Sequence, residues 1–167
     1  LNWKVIEHTV EYAEDIARNT NKKVSFVICT NLIEISQYQL EFCQKHNIAI
    51  STSLDGPPDI HDKCRKPRIG DGTYSRFMEK LQLARQVLGH NGVDALMTTS
   101  AFSLERLHEV IDEYILRGMN GIFIRSLNPY GFAAEQAITL GYSMEHFVKR
   151  YLDALHYIIE INKKIFF

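Results

Sequence analysis

The feature that most constrains this chain is a regular alternation of short β-rich segments with helical segments. Four runs read as strands: Val24–Thr30, Ile48–Leu54, Val93–Thr99 and Gly121–Leu127. Because a helix separates each pair, the connections are right-handed crossovers and the strands are parallel, with helices packed outside. We therefore predict an α/β fold with four parallel strands in sequence order, either a barrel or a doubly wound sheet. Four strands are too few to close a barrel.

The helical segments are marked by apolar residues at helical spacing and by capping residues. Ser36 with Gln39 predicts a capping box that opens a helix to about His46, and Ser103 is predicted to cap a helix that Gly118 ends. Three further apolar stripes predict helices, and the third of these helices starts at Ser143. The stripes are Trp3, Ile6, Val10, Ala13 and Ala17; Tyr74, Phe77, Leu81, Ala84 and Leu88; and Met144, Phe147, Tyr151, Leu155 and Ile158.

Length and composition indicate one domain over residues 1–167. A chain of 167 residues with 46% hydrophobic residues can bury one core. It opens within a helical pattern at Leu1 and stops in an apolar run at Phe167, so we expect a truncated piece of a larger fold. A truncated barrel leaves sheet edges and apolar helix faces open, and self-association is therefore expected.

Charge and cysteine spacing argue against several classes of protein. The net charge is −1 with scattered basic residues, which argues against a nucleic-acid partner. No apolar run approaches the ~20 residues of a membrane span and no signal peptide opens the chain, so we predict a cytoplasmic protein without a membrane partner. Cys29, Cys43 and Cys64 are too far apart for a paired metal motif, and no metal site is predicted.

Polar residues follow each predicted strand, where parallel sheets gather ligands. These edges are Thr30–Asn31, Ser53–Gly56, Thr98–Ser100 and Arg125–Asn128. The same residue types also make turns and cap helices after strands. Ligand binding and turn formation or helix capping each account for the residues of a single edge. The residues alone do not decide between these roles.

One block resembles a known family. Ser53-Leu54-Asp55-Gly56-Pro57, followed by Ile60-His61-Asp62 and Arg65, resembles the S-x-D-G-P signature of radical S-adenosylmethionine enzymes with SPASM-type extensions, which include the anaerobic sulfatase-maturating enzymes. The segments Met97–Thr99, Asp112–Tyr114 and Leu127–Ala133 are most similar to the maturase of the His-Xaa-Ser repeat peptide system. The resemblance spans nearly the whole chain.

The resemblance implies a fragment of a partial (β/α)6 TIM-like barrel whose N-terminal β-α-β part is missing. That part would carry the C-x3-C-x2-C ligands of a 4Fe-4S cluster. The implied function is the catalytic core of an oxidoreductase that matures a ribosomally made peptide or protein. S-adenosylmethionine would supply a 5′-deoxyadenosyl radical that abstracts a substrate hydrogen in this post-translational modification. The fragment alone is expected to be inactive.

The resemblance also assigns cofactor-binding positions. Ser53 and Arg65 match positions that hold the polar methionine and ribose end of S-adenosylmethionine, and Leu127 matches an apolar contact to adenine. The additional candidates are Thr98 and Asn31. One departure is Leu32, where the family commonly has Gly after Thr-Asn. The catalytic residues are not identifiable in this chain.

Two other functions compete with this interpretation. The first is a TIM-barrel-like domain that binds a peptide or small molecule without radical chemistry. The second is a metal-dependent TIM-barrel hydrolase or isomerase, which is disfavoured because no strand edge offers a His/Asp ligand pair. Residues upstream of Leu1 decide between radical chemistry and simple binding, since only a radical enzyme requires the C-x3-C-x2-C motif.

Overall fold

The structure is a computed structural model that describes residues 1–65, 72–128 and 130–164. In these ranges strands are separated by helices as the sequence predicts up to the third strand, and only helices are assigned after it. The strands are β1 (Phe26–Cys29), β2 (Ile48–Ser53) and β3 (Val93–Leu96). The helices are α1 (Trp3–Asn19), α2 (Gln37–Lys45), α3 (Pro58–Cys64), α4 (Tyr74–Leu88), α5 (Ala101–Leu104), α6 (Leu107–Leu116), α7 (Phe132–Glu135), α8 (Ala137–Leu140) and α9 (Met144–Asn162).

The strands form a small three-stranded parallel sheet in the order β1-β2-β3. In the parallel pairing of β1 with β2, Phe26 lies opposite Ile48 and Cys29 lies opposite Ser51. This confirms the α/β class. β1 and β3 are shorter than predicted: β1 begins at Phe26 and ends at Cys29, and β3 ends at Leu96.

A fourth strand over Gly121–Leu127 is not confirmed, and neither is the partial barrel. Residues 121–128 are not assigned to a strand. The Thr99 N–H donates to the Arg125 carbonyl at 3.2 Å, which begins a pairing. The Leu127 N–H, however, donates to the Tyr142 hydroxyl at 2.6 Å. A side chain thus takes the amide that a regular ladder would use next.

The chain divides into two compact units. The first comprises residues 1–52 and 79–94, and the second comprises residues 53–78 and 95–167. The chain therefore passes between the units three times: at the end of β2, within α4 and within β3. That residues 1–167 form a single domain stays a prediction.

In the first unit, α1 and α2 are joined by aromatic and polar contacts. The Trp3 and Phe42 rings meet edge to face with centroids 5.8 Å apart. His46 Nδ1 lies 2.9 Å from Glu14 Oε1. The capping box that opens α2 is confirmed, since the Ser36 hydroxyl accepts the Gln39 N–H while the Gln39 side chain accepts the Ser36 N–H.

The turn after β1 shows how Leu32 is accommodated at a position where the family commonly has glycine. This residue has φ of 63°, in the left-handed region that favours glycine. Its side chain is nevertheless fully buried, and its N–H donates to Thr30 Oγ1 at 3.2 Å. Apolar burial thus offsets a backbone conformation that costs a non-glycine residue about 1–2 kcal/mol.

In the second unit, the start of α6 corrects one prediction. Ser103 is not the cap of that helix, because it lies within the short helix α5, which Ser100 caps. α6 begins at Leu107 and ends as predicted at Gly118, which has φ of 61°. The Gly118 and Met119 amides donate to the carbonyls of α6 in a Schellman arrangement.

Helix α9 carries more exposed apolar surface than its sequence pattern suggests. Ala154 is its buried residue, whereas Met144 is 59% exposed and Leu152 is 49% exposed. Even so, no helix in the described ranges has the length and apolarity to cross a membrane. Self-association and a cytoplasmic location stay predictions.

We expect the Ser36 capping box to contribute about 1 kcal/mol to the free energy of unfolding, because Ser36→Ala leaves an amide of the first turn of α2 without its partner. Urea denaturation measures this difference. Ser36→Thr is the control, since threonine keeps the capping oxygen and should lose much less. Equal losses for the two variants would show that the cap does not stabilise α2.

Candidate functional site

The carboxylate of Asp55 is the centre of the polar site. Asp55 follows β2 and is 2% exposed. Its Oδ2 accepts a bond from Arg65 Nε at 2.6 Å, and its Oδ1 accepts from Arg65 Nη2 at 3.3 Å. Oδ1 also accepts the Thr98 N–H at 3.0 Å. One carboxylate therefore joins the turn after β2, the end of α3 and the segment after β3.

The turn after β2 is fixed by backbone contacts on either side of Asp55. The Leu54 N–H donates to the Leu96 carbonyl at 3.0 Å, and the Tyr114 hydroxyl donates to the Leu54 carbonyl at 2.7 Å. Gly56 has φ of 137°, and a Cβ there would lie 2.9 Å from Val110 Cγ2. The Asp-Gly-Pro sequence therefore needs its glycine for both conformation and space.

His61 packs beneath this turn as a buried neutral ring. It is 1% exposed, and its Nδ1 accepts the Asp55 N–H at 3.4 Å. Its ring lies against Tyr74 and Phe77, with centroids 5.6 and 5.4 Å away. His61 thus supports the backbone of Asp55 from the core and has no exposed face for a ligand.

Asp62 connects the same segment to α4. Its Oδ1 accepts the Thr73 N–H at 2.7 Å and the Tyr74 N–H at 2.8 Å, which satisfies amides at the start of α4. The Thr73 hydroxyl donates to the Arg65 carbonyl at 3.0 Å. The backbone of Arg65 is therefore held from α4 while its guanidinium is held by Asp55.

Behind these contacts lies a second buried carboxylate, Glu113, which is 6% exposed. It accepts bonds from the Tyr74 hydroxyl and from Arg117 Nε, the latter at 2.6 Å. Burial, together with the charge and hydrogen bond of Glu113, raises the pKa of Tyr74 to about 12. This cluster is internally paired, and we assign it a role in stability.

The segment that carries Leu127 is held by Tyr142. The Tyr142 hydroxyl accepts the Leu127 N–H at 2.6 Å and donates to the Thr99 carbonyl at 3.2 Å. Burial raises the pKa of Tyr142 above its usual value. One protonated hydroxyl thus links Leu127 to the residue that follows Thr98.

The structure places the five predicted residues in three settings. Arg65 and Thr98 are brought together on Asp55, and Leu127 is linked through Tyr142 to the neighbour of Thr98. Ser53 is half-buried at the last position of β2. Asn31 is exposed after β1 in the first unit. Their roles toward a cofactor stay predictions.

Two residues of the site were not singled out from the sequence. Asp55 lies inside the quoted motif, and its position before Gly-Pro could have indicated a structural partner for Arg65. No local pattern identifies Tyr142, because its contacts depend on segments 15 and 43 residues away.

The cysteines do not fit an iron-sulfur cluster. Burial raises the pKa of Cys43 to about 11, and it also raises the pKa of Cys64, whose Sγ lies 3.2 Å from Ser100 Oγ. Cys29 is exposed. Cluster ligation needs convergent thiolates. Over the described ranges, no group of three or more metal-ligating side chains comes together.

Comparison with known sequences gives a partial match. No family model matches the chain. An uncharacterised protein of Methanothermobacter thermautotrophicus is 33% identical over 99 residues, which is 59% of this chain and 35% of that protein.

Comparison with solved structures identifies the fold. The anaerobic sulfatase-maturating enzyme anSMEcpe, solved with bound AdoMet and Kp18Cys peptide, superposes over 92% of this chain with a TM-score of 0.74 and 18% identity. The polyhistidine-tagged form of that enzyme with bound AdoMet gives 0.73 over the same share. The chain spans 42% and 40% of these two structures. The chain thus shares the fold of the matched part of this enzyme, which is less than half of the enzyme's length.

We expect stability to decrease as the pH falls below 6.5, the usual value for histidine. The pKa of His61 is lowered mainly by burial and also by the Arg65 charge, and three carboxylates oppose this effect: Asp55, Asp62 and Glu113. Because the unfolded state binds a proton that the folded state resists, stability is lost from pH 6.5 down to the lowered folded pKa.

Denaturation midpoints at pH 7.5, 6.5 and 5.5 test this expectation. His61→Gln keeps an acceptor for the Asp55 N–H but does not titrate, so its midpoint should change less with pH than that of the unsubstituted chain. His8→Gln, on the exposed side of α1, is the control. If His61→Gln and the unsubstituted chain show the same pH dependence, the interpretation is wrong.

We expect Asp55→Asn to lower the free energy of unfolding by about 2 kcal/mol, because the amide has no charge to pair with the Arg65 guanidinium and replaces one of the two acceptor oxygens with a donor. Asp59→Asn is a matched control. Asp59 is 54% exposed in its ion pair with Arg106, and such pairs contribute about 0–1 kcal/mol. Equal losses in chemical denaturation would show that the Asp55 carboxylate has no special role.

Proposed function

We propose that this chain is part of the catalytic core of a radical S-adenosylmethionine enzyme that modifies a peptide or protein. The observation that carries the proposal is the Asp55–Arg65–Thr98 arrangement at the strand ends. It lies in a fold shared with an enzyme solved with bound AdoMet and peptide. The closer likeness to the His-Xaa-Ser maturase rests on the sequence resemblance.

We assign Arg65 the role of binding the carboxylate of S-adenosylmethionine. A guanidinium has five N–H donors in a planar fork. Asp55 engages Nε and Nη2, and the Arg65 side chain remains 29% exposed. A buried partner on one side orients the group, and donors remain for a ligand carboxylate on the other.

The other predicted residues would complete the cofactor site. Ser53, half-buried at the end of β2, would donate its hydroxyl to a ribose or carboxylate oxygen. Leu127 and Thr98, both half-buried, would contact the adenine end, and Asn31 is an additional candidate. When bound to a reduced cluster, S-adenosylmethionine supplies the radical that abstracts a hydrogen from the substrate.

The cluster ligands would come from residues outside this chain, since Cys29, Cys43 and Cys64 do not converge. The upstream reading frame tests this part of the proposal. A C-x3-C-x2-C motif there supports radical chemistry. A start codon with no such motif would favour a binding domain without radical chemistry.

The proposed substrate is a ribosomally made peptide or protein. Two of the solved structures that share the fold contain bound peptides, Kp18Cys and Cp18Cys. The modified residue and the substrate-side acid or base are not assigned to any side chain of this chain.

We expect Arg65→Ala to weaken S-adenosylmethionine binding roughly ten- to a hundredfold, because a charge-assisted contact is worth about 1.5–3 kcal/mol. Arg65→Lys should recover only part of the affinity, since it keeps the charge but loses the fork. Ser53→Ala should cost less, about 1 kcal/mol for a neutral hydrogen bond. Titration calorimetry on the reconstituted full-length protein measures all three.

The control is Lys63→Ala, which removes an exposed positive charge from α3. Arg65→Ala also leaves the buried Asp55 carboxylate without its partner, so each variant is first checked for cooperative unfolding. Arg65→Lys then serves as the more conservative test. Equal affinity losses for Lys63→Ala and Arg65→Ala, with no loss for Arg65→Lys, would show that Arg65 acts only as a general positive charge.

A further inference from the structure

An apolar groove of about 320 Å³ lies between residues 121–124 and helix α9. Tyr151, Leu155 and Ile158 form the α9 side of the groove. Phe123 on the opposite side is 57% exposed, and Tyr151 and Leu155 are also exposed. Large apolar side chains that stay in contact with solvent around a groove are typical of a surface that binds a partner. The groove is therefore a candidate interaction surface.

The backbone beside the groove has hydrogen-bonding groups without partners. No described residue bonds to an N–H or C=O group of residues 121–124, and the Thr99 N–H reaches only the carbonyl of the next residue, Arg125. A helix has its own backbone groups bonded internally, whereas an extended polypeptide offers N–H and C=O groups at regular spacing along its edge. The segment thus fits an extended partner better than a helical one.

The side chains of this segment alternate as in a strand. Ile122 and Ile124 are half-buried, whereas Phe123 and Arg125 are exposed. The guanidinium of Arg125 has no hydrogen bond or ion pair with a described residue. A strand laid beside this segment would therefore meet an apolar side chain and, two residues further on, an unpaired positive charge.

This charge distinguishes a foreign peptide from a second copy of the chain. Two copies that paired through the same segment about a two-fold axis would each lie along the other's residues 119–128. These ten residues include no Asp or Glu, so a second copy would offer Arg125 no opposite charge. Charge complementarity therefore favours a partner segment that carries a carboxylate.

We propose that the groove binds an extended peptide segment of a partner protein, which adds as a strand along residues 121–124. Its apolar side chains cover Tyr151 and Leu155, and its carboxylate pairs with Arg125. Backbone hydrogen bonds hold the segment, and the groove and the charge select its sequence. The inference goes beyond the proposed function, because this docking needs neither a cofactor nor a cluster.

The test uses a fluorescein-labelled peptide of sequence Ser-Val-Ile-Val-Glu-Ser, with its affinity for the full chain measured by fluorescence anisotropy. We expect Arg125→Glu and Leu155→Glu each to weaken binding roughly tenfold, because one opposes the peptide charge and the other places a charge in the apolar groove. Lys22→Glu and Leu116→Glu are the controls, since both change exposed side chains that do not line the groove. They should bind the peptide normally.

A charge-swapped peptide separates loss of the ion pair from loss of folding. With lysine in place of glutamate, the peptide should bind Arg125→Glu more tightly than it binds the unsubstituted chain. A variant that had simply failed to fold would bind neither peptide. The unfolding midpoint of each variant is measured alongside.

Hydrogen exchange reports on the backbone pairing itself. Because the Arg125 carbonyl faces Thr99, the backbone groups of Ile122 and Ile124, which alternate with it, lie along the other edge of the segment. The glutamate peptide should slow exchange of these two amides. The same peptide with proline at its central position lacks an N–H and should protect them much less.

Three results would overturn the proposal. The first is no binding of the glutamate peptide, and the second is equal affinity losses for the groove variants and their controls. The third is a dimer in sedimentation that Leu155→Glu converts to a monomer, because a second copy would then occupy the groove. The proposed function is tested separately by S-adenosylmethionine affinity, so either proposal can fail alone.

Discussion

The polar site depends on one buried carboxylate. Asp55 is 2% exposed, and a charge so buried is stable only when it is paired and hydrogen-bonded. Arg65 supplies the opposite charge and the Thr98 N–H supplies a further bond. Because the three residues come from separate segments, the turn after β2, the end of α3 and the segment after β3 are fixed together. This also orients Arg65 before any ligand arrives.

At this edge of the sheet, side-chain hydrogen bonds hold the backbone groups that strand-to-strand hydrogen bonds hold elsewhere in a sheet. The Tyr114 hydroxyl holds the Leu54 carbonyl, Asp62 holds the start of α4, and the Tyr142 hydroxyl joins Leu127 to Thr99. Each of these contacts places a polar side chain where a strand or a connecting segment ends. In the proposed function these bonds would preorganise the groups assigned to the cofactor, because the bonds hold those groups to the core before binding.

Features decided by neighbours in the sequence were predicted well. The longer helices α1, α4 and α9 follow from apolar spacing, and the Ser36–Gln39 capping box forms as the pattern indicates. Ser103 was a poorer guide to α6, because Ser100 lies three residues earlier and both can cap. The S-x-D-G-P block singled out Ser53 and Arg65 as candidates, yet the partner of Arg65 was not predicted, since an aspartate before Gly-Pro is also a common turn residue.

The sequence alone determined the α/β class, the three strands β1 to β3 and the five longest helices α1, α2, α4, α6 and α9, because these depend on residues a few positions apart. The tertiary structure decided that Arg65 pairs with Asp55 and that Leu32 adopts a left-handed backbone to bury its side chain. It also decided that Gly121–Leu127 does not complete a strand. Tyr142 lies 15 residues beyond Leu127, and only the packing of α9 brings its hydroxyl into the ladder.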